Sequence, residues 1–578
     1  MYKKAPLPVS VSWNEGKDYT IFKQQDAEGN IGICNHCARK FSNRNYLRYQ
    51  HKNFCSKMPL CTKRKMPLDY YFKDSHTETD KKLIALVKYI CYHGATLAST
   101  QSVFSKLVFG VSFSEETIRD AIIQYAKDIQ DETRQKIHKS IVAFVIDGAT
   151  INESSGWYAI GISTRDRVFI YDIVHMASTT TISLTHQINE IIDNIREETD
   201  AIVVGACSDN APNIANVFNP THPNGLAIVH GKYLLRISCQ AHTANLVTAT
   251  YERNNPYYSQ LRSQIKSFAT KASEKSIHTS LGISDRCPLI RDQRWFTEHD
   301  ALKWIIKNRK TIEDSWEILS DEFELTNCPI TDEWNQLFEA LQPLRDFVAN
   351  VETNVCVIGK AWEHYQKMKN SLQSISSSNK FASDLLEIVI QRWKTTADAD
   401  LLHLASFVSP ANHIQWKQTY ASLARMFQHG GMPDNEKQMF AEMTKEADIM
   451  VSTTIKYASH MGYAFNNNAS LIHFILTAAN LSVNHIGPYY WHENGACSDD
   501  IACDASRQGI DTSSADVSSV CEFFCRLISL PSSEAFCERI FARMRSLFPK
   551  TRSSCNDDLV KAQTLIRVTL QLDSPSDD

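Results

Sequence analysis

Two apolar runs, each closed by a carboxylate, dominate the pattern of hydrophobic and polar positions along the chain. Residues 140–147, SIVAFVID, form an unbroken β-branched and apolar stretch. That composition predicts a central strand buried on both faces, with Asp147 delivered to the sheet end, where ligands bind. Residues 201–209, AIVVGACSD, repeat the device and deliver Asp209. Between them, 157–163 (WYAIGIS) and 167–174 (RVFIYDIV) read as two strands joined by the turn Thr164-Arg165-Asp166, and 183–198 as a helix. The predicted order is strand, strand, strand, helix, strand.

Elsewhere the periodicity is helical. Residues 80–92 place Leu83, Leu86, Val87 and Ile90 on one face before Gly94 breaks the pattern. Phe104, Leu107 and Val108 mark a second helix and residues 115–138 a third, giving a small all-α module over 69–139. Beyond residue 250, apolar stripes recur at 337–351, 362–372, 382–393 and 442–457 without strand alternation. Residues 496–519 are small, polar and acidic and read as a linker, and 520–528 as a helix. A last pattern, capped by Ser532 or Ser533, places Glu534 and Glu538 one turn apart on one face.

Length and composition narrow the class. At 578 residues the chain exceeds the size of a single core and is expected to hold three or four domains. Its 43% hydrophobic and 22% charged residues are those of a folded protein. With a net charge of −4, affinity for nucleic acid has to come from local patches. Sixteen cysteines occur without an apolar signal segment after MYKKAPLPVS, and no run is long enough to cross a bilayer. No membrane partner is expected, and a reducing compartment makes clustered cysteines candidate metal ligands.

Such a cluster stands near the N-terminus. Cys34, Cys37, His51 and Cys55 have zinc-finger spacing, a C-x2-C pair followed by H-x3-C, and would close a tetrahedron around one Zn²⁺. Over residues 34–66 the chain carries Arg39, Lys40, Arg44, Arg48, Lys52, Lys57, Lys63, Arg64 and Lys65 and no acidic residue, the footprint of a phosphate-binding surface. Lys63-Arg64-Lys65 has the character of a nuclear-import signal. With Trp13 upstream, the ligand pairs resemble a BED-type zinc finger. Cys239-x2-His242 has no second pair nearby and is not expected to bind structural zinc.

The strand order resembles the ribonuclease H-like fold, in which the first and fourth strands are neighbours. The two strand-terminal Asp residues, Cys239-x2-His242, Arg294-Trp295 after Asp292-Gln293, and the Pro-Ser-Ser to Glu-Arg-x-Phe block at 531–541 together resemble hAT-superfamily DNA transposases. Departures are Gly148-Ala149-Thr150, which lacks a Trp after the Asp, and Cys537 and Ala542 where Ser is usual. The resemblance implies a multidomain α/β chain: a BED-type finger (1–68), a helical DNA-binding or dimerisation module (69–139), a ribonuclease H-like mixed-sheet core (140–250), an all-helical insertion (251–519), and the rest of the core with a dimerisation block (520–578). In that block the Glu preceding Arg is the acidic site residue, which selects Glu538 over Glu534. Asp147, Asp209 and Glu538 would then hold two Mg²⁺ or Mn²⁺ ions for phosphoryl transfer. By the same resemblance His242 assists the chemistry, and Arg294 and Trp295 meet the flanking DNA. The implied activity is cut-and-paste transposition in the nucleus by a homodimer or larger assembly on double-stranded DNA, both transposon ends and target. The rival expectation is a domesticated, transposase-derived nuclear regulator that binds DNA without catalysis.

Overall fold

A computed structural model describes the backbone of residues 19–23, 30–34 and 40–42, then 78–97, and 106–460 and 523–572 apart from gaps at 107, 109, 152–153, 165–166, 292–295, 324, 354–356, 397, 409–418, 421, 424, 429–431, 525, 528 and 549–555. The chain divides into two compact units, Met1–Ile84 and Ala85–Asp578. In the first, β1 (Tyr19–Lys23), β2 (Asn30–Cys34) and β3 (Lys40–Ser42) form an antiparallel sheet in that order. Cys34 ends β2 and Lys40 opens β3, while Cys37, His51, Cys55, Arg39, Arg44, Arg48 and Lys52 lie outside the described residues. Helix α1 (Glu78–His93) follows in sequence.

The larger unit is built on a five-stranded mixed sheet. After α2 (Glu115–Lys136), the strands β4 (Ile141–Ile151), β5 (Ser154–Ser163) and β6 (Val168–His175) form an antiparallel meander. The chain then crosses through α3 (Thr181–Thr199) to β7 (Ile202–Ser208), which pairs parallel to β4, and on to β8 (Leu235–Ser238), which pairs parallel to β7. Spatial order is β6-β5-β4-β7-β8, so the first and fourth strands are neighbours. Thr180 caps α3 by accepting from the Ser183 N–H, and the left-handed Asp200 ends it. One sheet face, including Val142, Phe144 and Ile146, packs against Leu184, Ile188, Ile191 and Ile195 of α3.

Two features differ from the sequence expectation. β4 does not stop at Asp147: its hairpin with β5 continues through Gly148↔Tyr158 to Ile151↔Ser154, because the antiparallel ladder persists after the parallel pairing with β7 has ended at Ser208. The fifth strand, β8, is only four residues long, too short for an alternation to register.

After α4 (Gln240–Asn254) the chain becomes helical. Its longer helices are α5 (Pro256–Ala272), α6 (Thr297–Lys307), α7 (Asp332–Val351), α8 (Ile358–Ile375), α9 (Lys380–Thr396), α10 (Ala399–Phe407) and α11 (Asp434–His460). This segment shares one apolar core with the other sheet face: Ala143, Val204, Cys207 and Ile237 belong to the same buried cluster as Leu337, Trp393 and Leu401. Two polar ties fix it to the β8–α4 junction. Trp393 Nε1–H donates to Gln240 Oε1 at 3.1 Å, and Asp398 Oδ2 accepts from the Ser238 N–H at 3.0 Å and hydroxyl at 3.1 Å. No helix among the described residues is long and apolar enough to cross a membrane.

The C-terminal segment returns to the sheet. Leu530 joins the shared core, α12 (Ala535–Leu547) packs on β4 and β5, and α13 (Asp557–Leu572) packs on α2 and β6. Gly205 on β7 permits this return, because a Cβ there would lie 2.4 Å from the Leu235 carbonyl oxygen and 2.5 Å from Leu530 Cδ2. Gly205→Ala is therefore predicted to cost about 1–3 kcal/mol in urea unfolding; unchanged stability would contradict the close packing of Leu530 on β7.

Candidate active site

The sheet ends place Asp147 and Asp209 on one face through a β-bulge. Val142 pairs with Val203 but Ala143 pairs with Gly205, so Val204 is an extra residue in β7. The bulge resets the alternation: Val203 packs towards α3, whereas Cys207 shares the opposite core with Ala143. From there the parallel register runs unbroken through Val145↔Cys207 and Ile146↔Ser208. Asp147 and Asp209 are the next residues on the two strands, and neighbouring strands lie about 4.8 Å apart. Each Asp carboxylate also accepts a local backbone bond: Asp147 from the Gly148 N–H at 2.7 Å, Asp209 from the Ala211 N–H at 3.1 Å. The Asp209 bond closes a local turn onto Ala211, which itself is the N-cap of the short helix that follows and has no side-chain cap bond, and it leaves the other carboxylate oxygen for a second partner.

Two buried cysteines, with Ser208, Ser532 and Ser533, lock the first turn of α12 above these strand ends. The Cys239 N–H donates to the Ser208 carbonyl at 2.8 Å, and the Gln240 N–H to the Ser532 carbonyl at 2.9 Å. Cys239 Sγ accepts from the His242 N–H at 3.3 Å, capping α4, and from the Glu534 N–H at 3.4 Å, and lies 3.7 Å from Ser533 Oγ. Cys537 Sγ donates towards the Val145 and Ala159 carbonyls at 3.2 and 3.4 Å. Ala159 is the β5 partner of Asp147. Cys239 thus acts as a connector between the β8–α4 junction and the C-terminal block, a role its spacing to His242 alone does not reveal.

Held this way, Glu534 is 1% exposed and Glu538 is partly buried one turn further on. The resulting concentration of acids shifts their titration. Burial, then repulsion from Asp209, pushes the Asp147 carboxyl up to about 7, against the Gly148 bond and Arg545. Burial, then Asp147 and Glu352, pushes Glu538 up to about 8, opposed by Arg545 and Arg539. Glu534 is raised well above the usual carboxylate range by burial, then by Cys239, Asp147, Asp209 and Glu538. His242 is shifted down by burial, partly opposed by Asp209, which keeps its imidazole neutral near pH 7.

Other groups complete the surroundings. The Tyr158 hydroxyl accepts from Asn213 Nδ2 at 3.1 Å and feels both Asp147 and Asp209. Arg236 binds the Asp209 carbonyl, Asn210 Oδ1 at 2.9 Å and Ser208 Oγ at 2.9 Å, fixing the loop after β7. Glu352, at the end of α7, lies beside Glu538, and Arg539 Nη1 donates to its carbonyl at 3.2 Å. None of these was marked by the sequence; Tyr158 alone had a usable signal, as an aromatic opposite the small Gly148. Arg294 and Trp295 lie outside the described residues.

Comparison of the sequence with protein-family models and with curated proteins finds no match. The donor chemistry of the site suits a hard divalent cation: carboxylates crowded against one another and a buried carboxylate oxygen, Glu534 Oε2, without a hydrogen-bond partner. As placed, no three Asp, Glu, His or Cys side chains among the described residues stand close enough together to hold an ion.

The raised carboxyls fix a sign for pH dependence. Between an ordinary carboxylate pKa of about 4 and the folded values of about 7 and 8, the folded protein holds protons that the unfolded chain has released. Stability from these groups is therefore present at low pH and lost as pH rises through that window. Metal-free protein is predicted to melt several degrees lower at pH 8 than at pH 5, and an Asp147→Asn/Glu538→Gln variant to show a smaller drop by differential scanning calorimetry. An equal or steeper drop in the variant would contradict the assignment.

Proposed function

We propose that the chain is a DNA transposase of hAT type, working by divalent-metal-dependent phosphoryl transfer. The observation that carries this reading is the in-register parallel pairing of β4 with β7 up to Ile146↔Ser208, with the acidic first turn of α12 laid across the same strand ends. On this reading the mixed sheet is a ribonuclease H-like core over 140–250 and 520–578, interrupted by a helical insertion over 251–519. Residues 1–68 form a BED-type finger around Zn²⁺ that contacts double-stranded DNA at transposon ends, and 69–139 a helical DNA-binding or dimerisation module.

Two Mg²⁺ or Mn²⁺ ions at such a site supply an activated nucleophile and stabilise the leaving oxygen. The chain's own residues do the rest. Asp147, Asp209 and Glu538 hold the ions. His242, neutral and adjacent to Asp209, can accept or donate a hydrogen bond at the scissile phosphate. Arg545, exposed on α12 near Asp147 and Glu538, adds positive charge for the DNA backbone. The Arg236 clamp keeps the Asp209 loop from swinging away. Arg294 and Trp295 serve the flanking DNA, and the assembly is a nuclear homodimer or larger.

The second reading, a domesticated regulator that binds DNA without catalysis, is favoured by one observation: the described acids do not form a ready coordination group. Joining of a pre-cleaved transposon end to target DNA in Mg²⁺ separates the two. Wild type is expected to join, Asp147→Asn, Asp209→Asn and Glu538→Gln to fall to background with end binding intact, and Cys34→Ser to lose end binding. Joining by all three carboxylate variants at the wild-type rate would overturn the site, and DNA binding without joining by wild type would select the regulator.

A further inference from the structure

Glu534 differs from every other acid at the site in having nowhere else to go. Its side chain is 1% exposed and its Oε2 is buried without a hydrogen-bond partner. Its place is set by the backbone: the Glu534 N–H is tied to Cys239 Sγ at 3.4 Å, and Cys239 is in turn tied to the Ser208 carbonyl, one residue before Asp209. One turn on, Cys537 is held against the carbonyls of Val145, two residues before Asp147 on β4, and of Ala159, the β5 partner of Asp147. The first turn of α12 is thereby pinned at both ends, and Glu534 feels the charge of both Asp147 and Asp209. Glu538 is placed differently, beside Asp147, Glu352, Arg539 and Arg545. An orphaned buried carboxylate oxygen costs stability unless a partner arrives, and among acids the fitting partner is a cation.

We propose that Glu534 is a fourth cation-binding carboxylate, sharing with Asp147 and Asp209 the ion held between the two strands, while Glu538 serves with Asp147 a second ion. This rests on the metal-dependent reading above and goes beyond it, since that reading assigns the acidic role on α12 to Glu538 alone.

The test is Mn²⁺ binding by the full-length protein, read as loss of the free-ion electron paramagnetic resonance signal, with circular dichroism and the metal-free melting temperature as folding controls. Glu534→Gln is expected to weaken the tighter Mn²⁺ site at least tenfold and to leave the metal-free melting temperature unchanged or higher, because an uncompensated buried acid has been removed. Glu534→Asp, which keeps the charge, is expected to recover part of the affinity and to report on the proposal if Glu534→Gln fails to fold. Glu538→Gln is expected to affect the weaker site. If Asp147→Asn and Asp209→Asn abolish the tight site while Glu534→Gln and Glu534→Asp both bind as wild type, the inference about Glu534 is wrong and the metal-dependent reading stands. If Asp147→Asn and Asp209→Asn also bind as wild type, both fall.

Discussion

Crowding of like charge in a partly dehydrated place is the constraint on which the rest of this structure depends. The carboxyls of Asp147, Glu534 and Glu538, near Asp209 at the ends of two parallel strands, are disfavoured from ionising by burial and by one another's charge. A fold relaxes such an arrangement by letting a side chain swing into water. Here the backbone limits that relief: the β4–β7 register fixes where the Asp pair starts from, and the cysteine ties hold the buried Glu534 in the helix turn beside them. The acids are kept together by interactions that have nothing to do with their charge.

The helical segment between α4 and α12 takes part in this restraint. It is continuous with the core under β4, β7 and β8, and its Trp393 and Asp398 bind the polar groups of the β8–α4 junction from which Cys239 and His242 project. Asp398 is itself buried and raised by that burial, against its bonds to Ser238 and the nearby Arg236. Disturbing the insertion would therefore reach the site through Ser238 and Arg236 and the loop that carries Asp209. In the proposed reaction this would tie the geometry of phosphoryl transfer to the domain expected to hold flanking DNA.

Much of the architecture was legible in the chain. The apolar runs before Asp147 and Asp209 are strands, the β-β-β-α-β order holds, and the predicted stripes at 337–351, 362–372, 382–393 and 442–457 fall within helices. What was not legible depends on long-range register. The bulge at Val204 decides which face Asp209 shares, and no local pattern marks it. The continuation of β4 beyond Asp147 depends on β5, and the role of Cys239 depends on a segment nearly 300 residues away, as its pairing with Glu534 across 295 positions illustrates. Glu534 and Glu538 were visible as a pair on one face, but only the packing of α12 distinguishes the buried member from the partly exposed one.

The central claim is that these acids draw in around a divalent cation at the carboxyl ends of β4 and β7. Anomalous diffraction from crystals of the protein equilibrated with Mn²⁺ addresses it most directly. The account predicts anomalous density between the carboxyl ends of β4 and β7, within ligand distance of Asp147 and Asp209 and bordered by α12. Well-ordered density for those side chains without an anomalous peak there, or with Mn²⁺ bound only elsewhere, would contradict it.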